Sequence, residues 1–303
     1  MASRDAAVSL LTGVLGAATA VSAYSLFDRA ATGERIDPFQ STLLFEPIGY
    51  ANALGILAAI GIVLALGLAT RTPTLATRGL AAASIPVLAP TLYLTESRGA
   101  WIALGAGVAA LVAAELRRLT VALGVLTLAV ATVLAAIVVG AADIPSDRPE
   151  YWRVAWTEIG LNPWLGSGAR TFHVYWLLYR PIEVNVRDAH SLYLETLAEL
   201  GPVGLALLLA ALAVPLTAAV RARAHPLVPA AAGAYVAFLI HAAQDWDWEM
   251  PAVTLAALFC GAALLVVARP ESTPALTPRV RAVAGGLALA LAGLAAAGLL
   301  DNL

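Results

Sequence analysis

The sequence predicts an all-α membrane protein that crosses the bilayer several times. Of the 303 residues, 60% are hydrophobic and 13% are charged, whereas a soluble domain carries about 25% charged residues. Many apolar windows reach the roughly 20 residues that a spanning helix needs. These runs are continuous instead of alternating, which favours helices over a membrane β-barrel, since helices satisfy their own backbone groups in lipid.

Nine apolar windows define the predicted transmembrane helices: 6–26, 48–69, 79–95, 99–115, 119–141, 191–220, 226–243, 250–268 and 281–300. The first follows Arg4 and is interpreted as a retained helix in preference to a cleaved signal peptide. The sixth is expected to break at Gly201–Pro202, because proline lacks a backbone donor. Residues 1–303 are predicted to form a single membrane domain, in which 142–190 is the one long hydrophilic loop.

The charge distribution predicts the orientation. If the N-terminus lies inside and nine spans alternate, the inner loops contain ten arginines and only three acids, Asp5, Glu115 and Glu271. The ten are Arg4, Arg71, Arg78, Arg117, Arg118, Arg221, Arg223, Arg269, Arg279 and Arg281. This excess of arginine follows the positive-inside rule and predicts an external C-terminus.

Three polar segments share the outer face in this topology. They are the TESRG corner (95–99), the long loop (142–190) and the DWDWE corner (245–249). Any active site is therefore expected at the outer membrane surface. The net charge of −2 gives no indication of nucleic-acid binding. The single cysteine, Cys260, excludes a disulfide framework and a cysteine-based metal site.

Arginines are the first candidate binding residues. Arg98 lies in a short hairpin beside Trp101, where it is either an interfacial anchor or a clamp for phosphate oxygens. The long loop adds five arginines and four tryptophans: Arg148, Arg153, Arg170, Arg180, Arg187, Trp152, Trp156, Trp164 and Trp176. The loop is interpreted either as an amphipathic surface segment or as a lid over an anionic, lipid-linked substrate.

Local patterns predict structure within the long loop. EYWRVAWTEIG has helical periodicity, which would place Trp152, Ala155, Trp156 and Ile159 on one side. LNPWLGSG is typical of a turn, and FHVYWLLYR is predicted to be a short helix on the membrane surface. His173 is interpreted as an ordinary interfacial residue.

His190 is the candidate base. Asp188 is predicted to cap a helix that begins at Ala189, so that His190 lies in the first turn and is kept neutral by the helix dipole. Glu195 and Glu199 would then lie on the opposite face and either pair with arginines or face water. A structural role and a catalytic role for His190 both remain open.

The DWDWE corner offers Asp245, Asp247 and Glu249. Clustered carboxylates can hold a divalent metal, but the same pattern is typical of a tryptophan belt with hydrated acids. The preferred interpretation is an acid that helps to position His190 or an acceptor hydroxyl.

Five segments together resemble the O-antigen ligase/polymerase superfamily of bacterial envelope glycan enzymes. They are FEPIGYANALG (45–55), LTESRGAW (94–101), the loop with WRVAW and NPWLGSGARTF, AHSLYLETLAELGPVG (189–204) and DWDWEMP (245–251). Each segment alone is weakly specific, but their order and spacing between spans make the set fairly specific. The resemblance covers nearly the whole chain.

This resemblance implies a metal-independent, inverting glycosyltransferase without a cofactor. Its substrates would be an undecaprenyl-pyrophosphate-linked glycan and a glycan or lipid acceptor, with membrane lipids around it and no nucleic acid. The site would face outward from the bacterial cytoplasmic membrane. His190 would be the catalytic base, Arg98, Arg153 and Arg170 would bind the pyrophosphate, and Tyr193, Asp245 and Asp247 would support them.

Several functional alternatives remain open. A polysaccharide polymerase and a protein O-oligosaccharyltransferase share these motifs. The chain has fewer predicted spans than is usual in the family, so a short, non-catalytic variant is a further alternative. A lipid-linked sugar transporter is disfavoured, because it would carry charges near the bilayer midplane.

The predicted orientation can be tested by cysteine labelling in intact cells. A cysteine at Ser146 should react with a membrane-impermeant thiol reagent, because the long loop lies outside. A cysteine at Thr74 should not react until the membrane is permeabilised. Labelling at Thr74 in intact cells would reverse the topology and remove the shared outer face.

Overall fold

The computed structural model describes residues 2–34, 36–115, 146–270, 277–280, 282–283 and 285–286. Within these ranges the regular structure consists of helices, with one isolated bridge between Asp37 and Ser41. The helices are α1 (Ala2–Thr32), α2 (Ala51–Arg71), α3 (Leu75–Leu94), α4 (Arg98–Glu115), α5 (Arg148–Leu161), α6 (Phe172–Tyr179), α7 (Leu192–Arg221), α8 (Val228–His241) and α9 (Pro251–Ala268). A single 3₁₀ turn (Asp247–Glu249) precedes α9.

Six of the described helices are long and apolar enough to cross a membrane: α1, α2, α3, α4, α7 and α9. The all-helical, multi-spanning class predicted from sequence is thereby confirmed. The predicted span 226–243 corresponds to α8, which is apolar but has only 14 residues. The predicted span 119–141 and most of 281–300 lie outside the described residues, so the count of nine remains a prediction, as does the orientation.

The chain divides into two compact units, 1–268 and 269–303. In the second unit, helical backbone is described at 278–280, 282–283 and 285–286. The remaining description concerns the first unit.

Helix α2 forms the centre of the first unit. It is buried along nearly its whole length and packs against α1, α3, α4 and α8. At the end of the bundle where α2 and α4 both finish, Arg71 and Glu115 form an ion pair. These two helices therefore run in the same direction, as the predicted topology requires.

Small residues let α4 and α8 approach closely. A Cβ added to Gly233 would lie 2.6 Å from the carbonyl oxygen of Gly107, and one added to Gly107 would lie 2.8 Å from that of Gly233. Such small-residue contacts are typical of helix packing in membranes.

Helix α7 is broken at the predicted position. Gly201 has φ 66° and ψ −175°, which is non-helical, and Pro202 follows it. Beyond the break the helix exposes apolar side chains, as expected of a surface that faces lipid. These are Val203, Leu207, Leu209, Val214 and Val220.

Helices α5 and α6 form a small layer with a core of its own. The predicted helix and the predicted turn at LNPWLGSG are both present. However, the buried face of α5 consists of Tyr151, Val154, Ala155 and Glu158, whereas Trp156 is exposed. Tyr151 and its neighbours pack against Phe172 and Trp176 of α6. Of the side predicted to carry the tryptophans, Ala155 is buried and Trp152 packs against the same cluster, but Trp156 is exposed.

Candidate functional site

The three polar segments singled out in the sequence meet at one end of the bundle. The side-chain amide of Gln244 donates to the carbonyl oxygen of Gly99 at 3.4 Å, which joins the DWDWE corner to the TESRG corner. Arg148, at the start of α5, forms an ion pair with Asp245. The three segments therefore lie together, as the predicted topology requires, while the side of the membrane that they face stays a prediction.

A fully buried carboxylate, Asp245, lies at the centre of this region. Its Oδ1 accepts hydrogen bonds from the Tyr50 hydroxyl and the backbone N–H of Trp246, both at 2.8 Å. Its Oδ2 accepts from the amide of Asn52 and the guanidinium of Arg148, both at 2.6 Å. Burial raises the pKa of this carboxyl, but Arg148 and the nearby histidines outweigh burial and hold the pKa below its usual range. Asp245 is therefore an ionised anchor.

The helix that carries the candidate base begins later than predicted. α7 starts at Leu192, and the hydroxyl of its N-cap Ser191 accepts the N–H of Leu194 at 3.4 Å. His190 has a φ of 53°, and a residue in this left-handed region does not continue a right-handed helix. The prediction that Asp188 caps a helix containing His190 is therefore wrong, and burial replaces the helix dipole as the main influence on the ring.

The His190 ring is neutral and has one defined tautomer. Its Nδ1 lies 3.0 Å from the carbonyl oxygen of Asp188, and a carbonyl can only accept, so Nδ1 holds the proton and Nε2 keeps a lone pair. Burial lowers the pKa of His190 below its ordinary 6.5, although the charge of Asp245 opposes this shift. The ring packs against Tyr151, with centroids 4.8 Å apart. His190 can therefore accept a proton at neutral pH.

A cavity of about 1020 Å³ opens beside His190. This volume is at the upper end of the range for small-molecule sites. Aromatic and charged side chains line it: Phe39, Tyr50, Tyr151, Trp246, Arg170, Arg187, His173, His190, Asp188, Glu195, Glu199 and Glu249. The combination of flat apolar surfaces with many hydrogen-bonding groups suits a polar ligand that has both hydroxyls and apolar faces, such as a sugar.

The predicted pyrophosphate-binding arginines occupy three different environments. Arg170 lines the cavity. Arg98 is the half-buried first residue of α4 and precedes Gly99, which packs against the DWDWE side of the site. Arg153 points away: its side chain is 60% exposed and pairs with Glu150 at 2.7 Å. Of these three arginines, only Arg170 is among the residues that line the cavity together with His190.

Arg148 is the arginine that sequence reasoning passed over. Its side chain is only 24% exposed, and its charge acts on the titration of His190. Tyr151, one turn further along α5, contacts the His190 ring. In the sequence, Arg148 was marked only by its position one helical turn before Tyr151. That position gave no reason to prefer Arg148 to Arg153.

Two predicted supporting residues link helices together. The hydroxyl of Tyr193 donates to the carbonyl oxygen of Leu239 at 2.9 Å, which fastens the start of α7 to α8. Asp247 is buried and its Oδ1 lies 3.2 Å from Nδ1 of His241, also buried. Sequence reasoning missed His241, whose signal was a histidine at the end of an apolar run, four residues before the D-x-D pair.

Three carboxylates form the place where a cation would bind. Oxygens of Asp188, Glu195 and Glu249 lie within 4.8 Å of one another, and clustered carboxylates suit hard cations. Burial, with added repulsion from Glu249 and Glu199, raises the pKa of Asp188 to about 6. Either a shared proton or a metal ion would relieve this repulsion, so metal independence remains a prediction from the family resemblance.

The fold and the site define a multi-spanning, all-helical membrane protein with a polar cavity at one end of its bundle. Residues 83–209 match the family model described as O-antigen ligase. The match confirms the resemblance for the segments at 94–101, in the long loop and at 189–204, and supports membership of the O-antigen ligase superfamily. The segments at 45–55 and 245–251 lie outside it. It also supports a ligase- or polymerase-like role in glycan processing. No curated protein matches the chain.

The family match covers part of the site. It includes Arg98, Arg148, Arg170 and His190, whereas Asp245 lies beyond its end. The family model thus covers the candidate base and these arginines but not the carboxylate that binds Arg148.

Asp188 should make stability depend on pH. Its pKa of about 6 in the folded protein exceeds the ordinary 3.8, so the folded state binds more protons between these values and the free energy of unfolding falls as pH rises. Asp188→Asn removes this loss of unfolding free energy, because asparagine does not titrate. We expect a higher thermal midpoint than the parent at pH 7.5, with a difference that shrinks as the pH approaches 4.

Thermal unfolding of detergent-purified protein checks this expectation. Glu183→Gln, which changes an exposed carboxylate of the same segment, is the control. A stabilisation by Asp188→Asn that is equal at all pH values would contradict the assigned shift.

Proposed function

We propose that the protein is a glycosyltransferase at the outer face of the bacterial cytoplasmic membrane. It moves a glycan from an undecaprenyl-pyrophosphate carrier to an acceptor hydroxyl. The observation that carries the proposal is His190, a neutral base on the wall of a large polar cavity, within the segment that matches the O-antigen ligase family.

The proposed reaction is an inverting displacement. Nε2 of His190 accepts the proton of the acceptor hydroxyl while the acceptor oxygen forms a bond to the sugar C1. The bond between C1 and the pyrophosphate oxygen breaks, and the pyrophosphate leaves with the electron pair. The Nδ1 hydrogen bond to the Asp188 carbonyl keeps the ring in the tautomer that this step needs.

Arginines would stabilise the charge that grows on the leaving pyrophosphate. Guanidinium groups that lie where this charge develops lower the barrier. Arg170 lines the cavity. Arg148 is not among the residues that line it, but its charge acts on His190 and its side chain is held by Asp245. Arg98 remains a candidate at the start of α4. Geometry favours Arg148 over Arg153 for this role, because Arg153 is exposed and paired with Glu150.

The remaining alternative functions differ from this proposal in the acceptor molecule. A polymerase and a protein O-oligosaccharyltransferase would use the same base and the same leaving group, and differ only in the molecule that carries the hydroxyl. Product analysis with purified protein and a lipid-linked repeat unit separates them. The absence of any turnover in the parent would favour a non-catalytic variant or a transporter.

Replacement of His190 tests the catalytic base. His190→Ala should reduce turnover by a factor on the order of 10² to 10⁴, the usual contribution of a general base. Binding of the lipid-linked donor should change little, because arginines hold the pyrophosphate. His173→Ala, which removes an exposed histidine on the same cavity wall, is the matched control and should have a much smaller effect.

The pH profile provides a second measurement for His190. Since the pKa of His190 is lowered, the acid limb of turnover should have its midpoint below pH 6.5. EDTA should leave turnover unchanged. Equal turnover of parent and His190→Ala, normalised to folded protein, would remove the base and with it this mechanism.

A matched pair of lysine variants tests the choice of arginine. Arg148→Lys keeps a cation beside Asp245 but loses the planar fork of donors, so turnover should fall on the order of 10²-fold. Arg153→Lys should have a smaller effect, because that side chain is exposed. Steady-state kinetics on folded, detergent-extracted protein decide between them, and a larger loss for Arg153→Lys would restore the original assignment.

A further inference from the structure

Two buried glutamates in the first turns of α7 have no arginine partner. Glu195 and Glu199 are 7% and 8% exposed, and among the described residues neither takes part in an ion pair. The expectation that they pair with arginines is therefore wrong, and their partners are backbone N–H groups. It failed because it assumed that the chain before Leu192 continued the helix. That segment instead folds back across the glutamate face.

Glu195 binds the segment that carries the candidate base. Its Oε2 accepts the backbone N–H of Ala189 at 2.8 Å. Ala189 is fully buried and directly precedes His190, whose φ is 53°. The carboxylate thus anchors the backbone at the residue before the left-handed turn.

Glu199 binds the segment that carries Arg170. Its Oε2 accepts the backbone N–H of Arg170 at 2.7 Å, and its Oε1 accepts that of Phe172 at 3.0 Å. The backbone N–H of Gly168 also donates to the main-chain oxygen of Glu199, at 2.9 Å. Arg170 has a φ of 63°.

The glycines at this contact show how closely the two segments approach. A Cβ on Gly166 would lie 2.3 Å from the main chain of Glu199. A Cβ on Gly201 would lie 2.4 Å from the carbonyl oxygen of Trp164. Both glycines have positive φ, and the break in α7 and the loop before α6 are in close contact.

The two anchored residues share unusual geometry. Four non-glycine residues among those described have positive φ, and only Arg170 and His190 among them line the cavity. Such backbone is unfavourable and persists where the surroundings hold it. Glu195 and Glu199 are four residues apart, hence on one helical face, and each holds one of the two strained segments.

We propose that Glu195 and Glu199 are a pair of positioning residues that hold His190 and Arg170 in left-handed backbone, so that both side chains face the cavity. The proposal rests on the proposed function for its kinetic consequences. Its structural part, that each carboxylate holds one segment, is independent of the reaction.

Hydrogen exchange of the purified full chain tests the structural part. Glu195→Ala should raise exchange in the peptide containing Ala189 at least about tenfold, the result of losing a buried hydrogen bond, with little change at Arg170 and Phe172. Glu199→Ala should do the reverse. Glu183→Ala, which removes an exposed glutamate outside the cavity lining, should change neither peptide.

Glutamine variants provide a second test, which can also be carried out if an alanine variant fails to fold. Glutamine retains one acceptor oxygen. Glu195→Gln should therefore restore protection at Ala189, whereas Glu199→Gln should restore only one of the two amides that Glu199 holds. Exchange that rises in both peptides for either alanine variant, or in neither, would overturn the pairing of each glutamate with its own segment.

Kinetics test the functional consequence. Glu195→Ala should lower kcat, because His190 is misplaced, with little change in KM for the lipid-linked donor. Glu199→Ala should mainly raise that KM, because Arg170 is misplaced. Equal loss of kcat in both variants would overturn the positioning roles. An inactive parent with intact segment-specific exchange would instead refute the proposed function alone.

Discussion

The buried negative charge of Asp245 is the interaction on which the site depends. A carboxylate without water is very unfavourable unless hydrogen bonds and a cation compensate it. Here the start of α2, the start of α5 and the chain after α8 must all supply donors to one pair of oxygens. This requirement holds α5 in place over the bundle, and α5 in turn brings Tyr151 against His190.

Carboxylates have several distinct uses in this small region. Asp245 binds the Arg148 guanidinium and stays ionised. Asp188 instead belongs to a cluster of acids, and its pKa is raised. Glu158 is fully buried on α5 and accepts the hydroxyls of Ser167 and Thr171. Burial raises its pKa as well. Asp245 and Glu158 thus hold loops and helices in place, and His190 is a neutral group suited to accept a proton.

The polar layer and the membrane bundle depend on each other. The start of α7 is joined to α8 by Tyr193 and by the backbone N–H of Leu192, which donates to the carbonyl oxygen of Ala242 at 2.8 Å. His241 at the end of α8 packs closely against Gly99 at the start of α4. A Cβ added to Gly99 would lie 3.2 Å from Nε2 of His241. Movement of a helix end would therefore displace the residues that line the cavity.

The sequence by itself determined the properties that depend on composition and local pattern. Continuous apolar runs require helices in lipid, glycine followed by proline breaks α7, and the spacing of LNPWLGSG produces a turn. The family resemblance could also be detected from the sequence, because the family's motifs are short and occur in a fixed order. His190 and Arg170 were recognised for the same reason.

Only the tertiary structure decided which charges meet. Arg148 and Arg153 both lie in the long loop, but the position of Asp245, nearly a hundred residues away along the chain, selects Arg148. The start of α7 could not be predicted, because Ser191 and Asp188 are both good caps. Packing against Tyr151 and the Glu195 contact place His190 before the helix. Hydrogen bonds to distant backbone have no periodic signal in sequence, so the roles of Glu195 and Glu199 became visible only once the chain was folded.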